Sequence, residues 1–188
     1  MDPFLRDLNA SYHGSGIAHK SRLNQKTVAN TLNSLEGEGL LRSRIVGKNK
    51  EFRLCFDDRE KVMRFLLSLE NARSARFLDE HPRIKEFVAK TKPHFRGIVV
   101  VFGSYAKETQ KKDSDLDLLS VGEYDAKQVG EVAELYGIHV SVKNMRLKDF
   151  IQALREKDLF INEVVSGHMI IRGIESYLEN VVREYYGR

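Results

Sequence analysis

Two aspartates, Asp115 and Asp117, stand two residues apart in the run DSDLDLLSV, ten intervening residues beyond a glycine-serine pair at Gly103 and Ser104. In a strand, residues i and i+2 project to the same face, so the two carboxylates are presented side by side. Left unpaired they repel each other. A bound Mg²⁺ removes that conflict, because this hard cation takes carboxylates and substrate phosphates together as ligands. Gly103 lets backbone come close to a ligand, and the turn over residues 104–107 exposes amide N–H groups at a helix start, a place that attracts phosphate. The pattern predicts a triphosphate at Gly103, Ser104 and Lys107, with Asp115 and Asp117 holding the metal that bridges it. Such an arrangement suits nucleotidyl transfer, in which metal ions position the triphosphate and neutralise charge at the reacting phosphorus. For Lys107 the alternative is an exposed loop position, as for Lys111 and Lys112.

The elements that must carry these residues are legible from about Pro93 onward. GIVVVF is a continuous apolar run, suited to a strand covered on both faces. SDLDLLSV reads as the next strand, DAKQVGEVAELYG as a helix and IHVSVKN as a third strand. RLKDFIQALREKDLFINEVVSG is helical with a break near Lys157 and Asp158, HMIIRG is a short strand, and IESYLENVVREYYGR a closing amphipathic helix. Alternating strands and helices imply a small α/β domain with a mixed sheet over residues 93–188. Before it, residues 57–92 read as a helical linker. Asp57 and Asp58 are candidate caps, Val62, Phe65, Leu66, Leu69 and Phe77 lie on one helical face up to His81-Pro82, and the shorter helix RIKEFVAK follows.

Gly103-Ser104, ten residues, then Asp115-x-Asp117 resembles the signature of the minimal nucleotidyltransferases of the DNA polymerase β-like superfamily, over about residues 93–173. The resemblance implies nucleotide monophosphate transfer from a nucleoside triphosphate, with Gly103 and Ser104 at the phosphates and Asp115 and Asp117 on Mg²⁺. Related minimal transferases act as antitoxins that modify a partner toxin, so the resemblance also implies a protein acceptor as one possibility beside a nucleic acid. Active members usually carry a third carboxylate on a later strand. Here that strand is GIHVSVKN, where His139 and Ser141 share one face and neither Asp nor Glu is present. His139, with an ordinary pKa of about 6.5, is a candidate base, or simply a polar residue facing solvent. Two readings stay open: an active transferase, or a transcription regulator whose degenerate transferase domain binds nucleotide or only dimerises.

The first third of the chain carries the excess charge. Residues 1–56 hold 9 Lys and Arg against 5 Asp and Glu, and the remainder is balanced at 22 of each. Short helices around residues 4–8 and from Ser15 through Leu23 precede a third at residues 26–36, where Val28, Leu32 and Leu35 recur at helical spacing. LLRSRIV and EFRLCF then read as two strands about the tight turn GKNK, with Ile45, Phe52 and Leu54 inward. This order resembles the winged helix-turn-helix of MarR-like regulators. It implies double-stranded DNA as a partner, read by Gln25, Lys26, Thr27, Asn30 and Asn33 at base edges, with Arg42, Arg44, Lys48 and Lys50 at phosphates. A polar face used for protein contact or dimerisation is the alternative. The fold class expected is therefore α+β in two domains, a winged helix (1–56) and a small mixed-sheet nucleotidyltransferase-like domain (93–188), joined by the linker.

Composition excludes other classes. The 188 residues are 41% hydrophobic and 31% charged, an ordinary globular balance. The single Cys55 rules out an internal disulfide and a cysteine-rich zinc site. The longest apolar run, IVVVF, is far short of the roughly 20 residues that cross a membrane. The start, MDPFLRD, does not read as a signal peptide, so a cytoplasmic location is expected. Tyr185 and Tyr186 are expected to cover the core or a dimer contact.

Overall fold

Amphipathic spacing and helix caps account for most element boundaries. The computed structural model describes residues 2–187. They divide into two compact units, one reaching Leu69 and the other Glu70–Gly187. The first contains α1 (Asp2–Arg6), β1 (Tyr12–His13), α2 (Gly14–Ser21), α3 (Gln25–Gly37), β2 (Leu41–Val46) and β3 (Asn49–Leu54). α3 begins where the Asn24 side chain accepts from the Lys26 and Thr27 amides, satisfying donors that a helix start leaves free. Its Val28 and Leu32 are buried with Phe4, Leu5, Leu8, Ile17, Leu41, Phe52 and Leu54. The three strands form an antiparallel sheet in the order β1-β3-β2.

Three details differ from expectation. α2 starts one residue ahead of Ser15, with His13 at the cap and no side-chain cap bond, so Ser15 lies inside the helix. β1 was not foreseen; it pairs Tyr12 with Phe52 and His13 with Glu51, a contact set by chain far away in sequence. Ile45, expected inward, is 72% exposed, because it sits near the tip of the β2–β3 hairpin, beyond the reach of the core.

The boundary between units falls inside α4 (Arg59–Glu80), whose start is capped by Asp58 accepting from the Lys61 amide. The second unit continues through α5 (Pro82–Thr91), a 3₁₀ turn (Lys92–His94), β4 (Ile98–Val101), α6 (Gly103–Ala106), β5 (Leu116–Val121), α7 (Ala126–Leu135), β6 (Val140–Met145), α8 (Leu147–Glu156), α9 (Leu159–Ser166), β7 (Met169–Arg172) and α10 (Ile174–Asn180). A π-helical turn, Val181–Tyr185, ends it. The last residue of the expected closing helix, 188, lies outside the described residues.

The sheet is mixed, in the order β6-β5-β4-β7. β5 and β6 are parallel, and the other neighbours antiparallel. All four residues of β4 are buried, as a strand covered on both faces requires. One face packs Val100, Leu119 and Val121 against Phe150, Leu154, Ile161, Val164 and Tyr177. The other packs Val99, Val101, Leu116 and Leu118 against Ile84, Phe87, Val129 and Ala133. The foreseen break between α8 and α9 is real: Lys157 takes a left-handed conformation, and the Asp158 carboxylate accepts from the Phe160 and Ile161 amides. A buried polar group also belongs to this unit, where His168 Nε2 lies 2.8 Å from Glu70 Oε1 and Nδ1 donates to the Val165 carbonyl. No helix among the described residues is long and apolar enough to cross a membrane.

Candidate active site

The end of β4 and the start of β5 lie side by side, and that pairing assembles the acidic pair and the glycine-serine turn. The Phe102 amide donates to the Asp117 carbonyl at 3.0 Å, which sets Gly103 over the Asp117 side chain. Gly103 has a φ of +69°, and a Cβ placed on it would stand 2.4 Å from Asp117 Oδ2. Only glycine leaves room for that carboxylate and tolerates the backbone conformation. Ser104 follows within α6, half-buried, and Lys107 caps the turn by donating its amide to the Gly103 carbonyl.

Asp117 sits half-buried inside β5, and Asp115 is exposed just ahead of it. Burial, the charge of Asp115 and that of Glu163 raise the Asp117 pKa above the ordinary carboxylate value, while Lys143 works against them. The two acids therefore behave as neighbours competing for one counter-charge. Carboxylate oxygens and nucleotide phosphates are the ligands Mg²⁺ prefers, so the pair fits that ion as part of its shell. No group of three or more His, Cys, Asp or Glu side chains poised for a metal exists among the described residues.

The β6 residues in register beside the pair carry no acid. Ser141 pairs with Asp117 across the parallel ladder, and Lys143 pairs with Leu119. His139 lies just before β6, exposed, its carbonyl accepting from the Leu116 amide at 2.7 Å. Sequence reading did not single out Lys143 or Glu163. The alternation that puts Ser141 beside Asp117 also puts Lys143 on that face, so Lys143 had a signal. Lys143 Nζ rests over the Phe160 ring at 4.4 Å. Glu163 belongs to α9, and its carboxylate holds Lys107 Nζ at 2.7 Å. No local pattern marks a partner 56 residues away.

In the first unit, Gln25, Lys26, Thr27, Asn30 and Asn33 are all exposed along α3. Arg42, Arg44, Lys48 and Lys50 are exposed too, but most are engaged. Arg42 meets Asp57, Arg44 holds Glu51 at 3.0 Å, and Lys50 reaches Glu36 at 2.6 Å and Asn33 at 2.9 Å. Lys48 has no ion pair among the described residues.

The second unit's sheet, its glycine-serine turn and its aspartate pair define a nucleotidyltransferase. The chain belongs to the nucleotidyltransferase domain family, whose model matches residues 81–177. A protein of Methanocaldococcus jannaschii, provisionally named a protein adenylyltransferase, is 41% identical over 51 residues, or 26% of this chain and 51% of that one. The chain thus matches about half the length of that relative. Two solved toxin–antitoxin structures align with 56% of this chain and 84% of theirs. One, with AMP-PNP, has 17% identity and a TM-score of 0.37; the other, an MntA-HpeT mutant, has 18% and 0.36. Likeness at that level fixes neither activity nor partner.

Proposed function

We propose that the second unit transfers a nucleoside monophosphate from a nucleoside triphosphate to a hydroxyl. The observation that carries this reading is the Asp117 carboxylate seated on the bare Cα of Gly103 with Asp115 beside it, which joins the turn and the acidic pair into one site. In this reading Gly103, Ser104 and Lys107 bind and orient the triphosphate, and Asp115 and Asp117 hold Mg²⁺. When bound, the ion supplies charge neutralisation at the reacting phosphorus. The acceptor oxygen forms a bond to the α-phosphorus, the bond to pyrophosphate breaks, and the hydroxyl proton leaves to a base. His139, exposed at the edge of β6, is the side chain proposed for that proton. The match to a protein adenylyltransferase supports AMP as the group and a protein as the acceptor.

The experiment is labelling of candidate acceptors with α-³²P nucleotides by the wild type and by Asp117→Asn. Transfer that vanishes in the variant is the expected result. Equal labelling by both ends the proposal.

A second reading is favoured by the absence of an acid on β6 and of any group of three or more metal-poised His, Cys, Asp or Glu side chains among the described residues. In it the first unit is a winged helix-turn-helix that reads double-stranded DNA through α3 and the β2–β3 hairpin, and the second unit binds nucleotide without turnover. The order of helices and hairpin supports this reading, as does the surplus of basic residues before residue 57. Saturable nucleotide binding with no labelled product, and a DNA footprint that changes with nucleotide, distinguish it from the first.

A further inference from the structure

Lys143 lies on the same face of the sheet as Asp117, and no role assigned above uses it. Asp117 shares its side of β5 with Leu119 and Val121, the side covered by α8 and α9. On β6, Ser141 pairs with Asp117 and Lys143 with Leu119. Val140 and Val142 pack on the opposite side, so alternation turns Ser141 and Lys143 toward Asp117. The Lys143 charge reaches the Asp117 carboxylate, opposing the burial and neighbouring acids that raise its pKa.

The ammonium is nevertheless uncommitted. Among the described residues Lys143 makes no ion pair, and its Nζ rests over the Phe160 ring, 4.4 Å from the centroid. Phe160 packs edge-on against Phe102 at 5.2 Å, and Phe102 is the residue before Gly103. Ring contacts thus lead from the glycine-serine turn to the ammonium. A cation held on a ring face is kept in place without being neutralised.

Charge balance gives that cation a counterpart. Lys107, at the end of the turn, is matched by Glu163 at 2.7 Å. In the transfer reading the aspartate pair is matched by its divalent ion. A nucleoside triphosphate brings more negative charge than that ion offsets, and protein cations commonly balance the remainder. Lys143 is exposed, unpaired and within electrostatic reach of Asp117.

We infer that the Lys143 ammonium donates to triphosphate oxygens of the nucleotide held between the Gly103 turn and the aspartate pair. The inference rests on the transfer reading above and adds a wall to its site, built by β6 and α9.

Two measurements on the full chain test it. The first is calorimetric titration in Mg²⁺ with each of the four nucleoside triphosphates, repeated on Lys143→Gln with the nucleotide that binds tightest. The variant should bind about 10-fold more weakly, the loss of one hydrogen bond to a charged group. The second is acetylation of lysines in the wild type, read by mass spectrometry with and without saturating nucleotide and Mg²⁺. Lys143 should be shielded by the nucleotide. Unchanged affinity in Lys143→Gln overturns the inference. So does weakened affinity with Lys143 equally reactive in both states, because the lysine then acts only through Asp117. If Lys143→Gln misfolds, the wild-type acetylation decides alone. Nucleotide binding that Asp117→Asn weakens and Lys143→Gln does not sinks this inference and keeps the transfer reading. Absence of nucleotide binding in the wild type ends both.

Discussion

Replacing Gly103 by alanine would set a Cβ 2.4 Å from Asp117 Oδ2, at a φ of +69° that costs an L-residue about 1–2 kcal/mol. The carboxylate must then move, and a displacement of about 1 Å at a reacting centre costs roughly 100-fold in rate. Gly103→Ala should therefore lower both melting temperature and labelling. Asp117→Asn should lower labelling too but act on stability in the opposite sense. The Asp117 pKa is raised in the folded protein, chiefly by burial, so the native state holds the proton more tightly than the unfolded chain does. Stability that is complete below the unfolded pKa of about 4 falls as pH climbs through the folded value, and at neutral pH ionised Asp117 is a net cost. Removing that charge should raise the melting temperature at pH 7 by about 1–2 °C, after discounting for solvent screening, and leave it unchanged below about pH 4. Thermal scans at the two pH values check this. A neutral-pH melting temperature lower than wild type would show that the site is not electrostatically strained.

Secondary-structure elements separate what local sequence decides from what distant chain decides. Lys157-Asp158 announced the α8–α9 break because a capping aspartate satisfies amides two and three residues on. The lack of an acid on β6 was equally legible, since alternation along one strand is local. β1, the exposure of Ile45 and the partners of the hairpin cations were not legible, for each depends on residues brought in by folding. Those partners alter one expectation about the proposed DNA-reading face. Lys50 can reach a phosphate only by leaving Glu36, whereas Lys48 is free to do so. Replacing both with alanine should flatten the logarithmic salt dependence of DNA binding by about 0.9, one phosphate contact, and not by about 1.8. Glu36→Gln should tighten binding. Fluorescence anisotropy across a salt series measures both, and a slope untouched by the double substitution removes the hairpin from DNA contact.

The whole molecule confines its surplus positive charge to residues 1–56 and its transferase family match to residues 81–177. That separation lets the two proposed readings be distinguished by one equilibrium, because coupling between two ligands is reciprocal. If the second unit is a nucleotide sensor for the first, a nucleoside triphosphate with Mg²⁺ changes DNA affinity by some factor, and DNA changes nucleotide affinity by the same factor. Couplings of this kind usually lie at about 5- to 150-fold. Asp117→Asn should abolish the shift while leaving DNA affinity in the absence of nucleotide unchanged, since the substitution lies outside the unit proposed to touch DNA. If the chain is a transferase whose front end merely tethers it, the factor is 1 within error, and labelled acceptor accumulates instead. Anisotropy titrations of DNA with and without nucleotide, run beside the labelling assay on the same preparation, give both numbers. A coupling factor of 1 with no labelled product would leave the second unit without either role, whatever its fold.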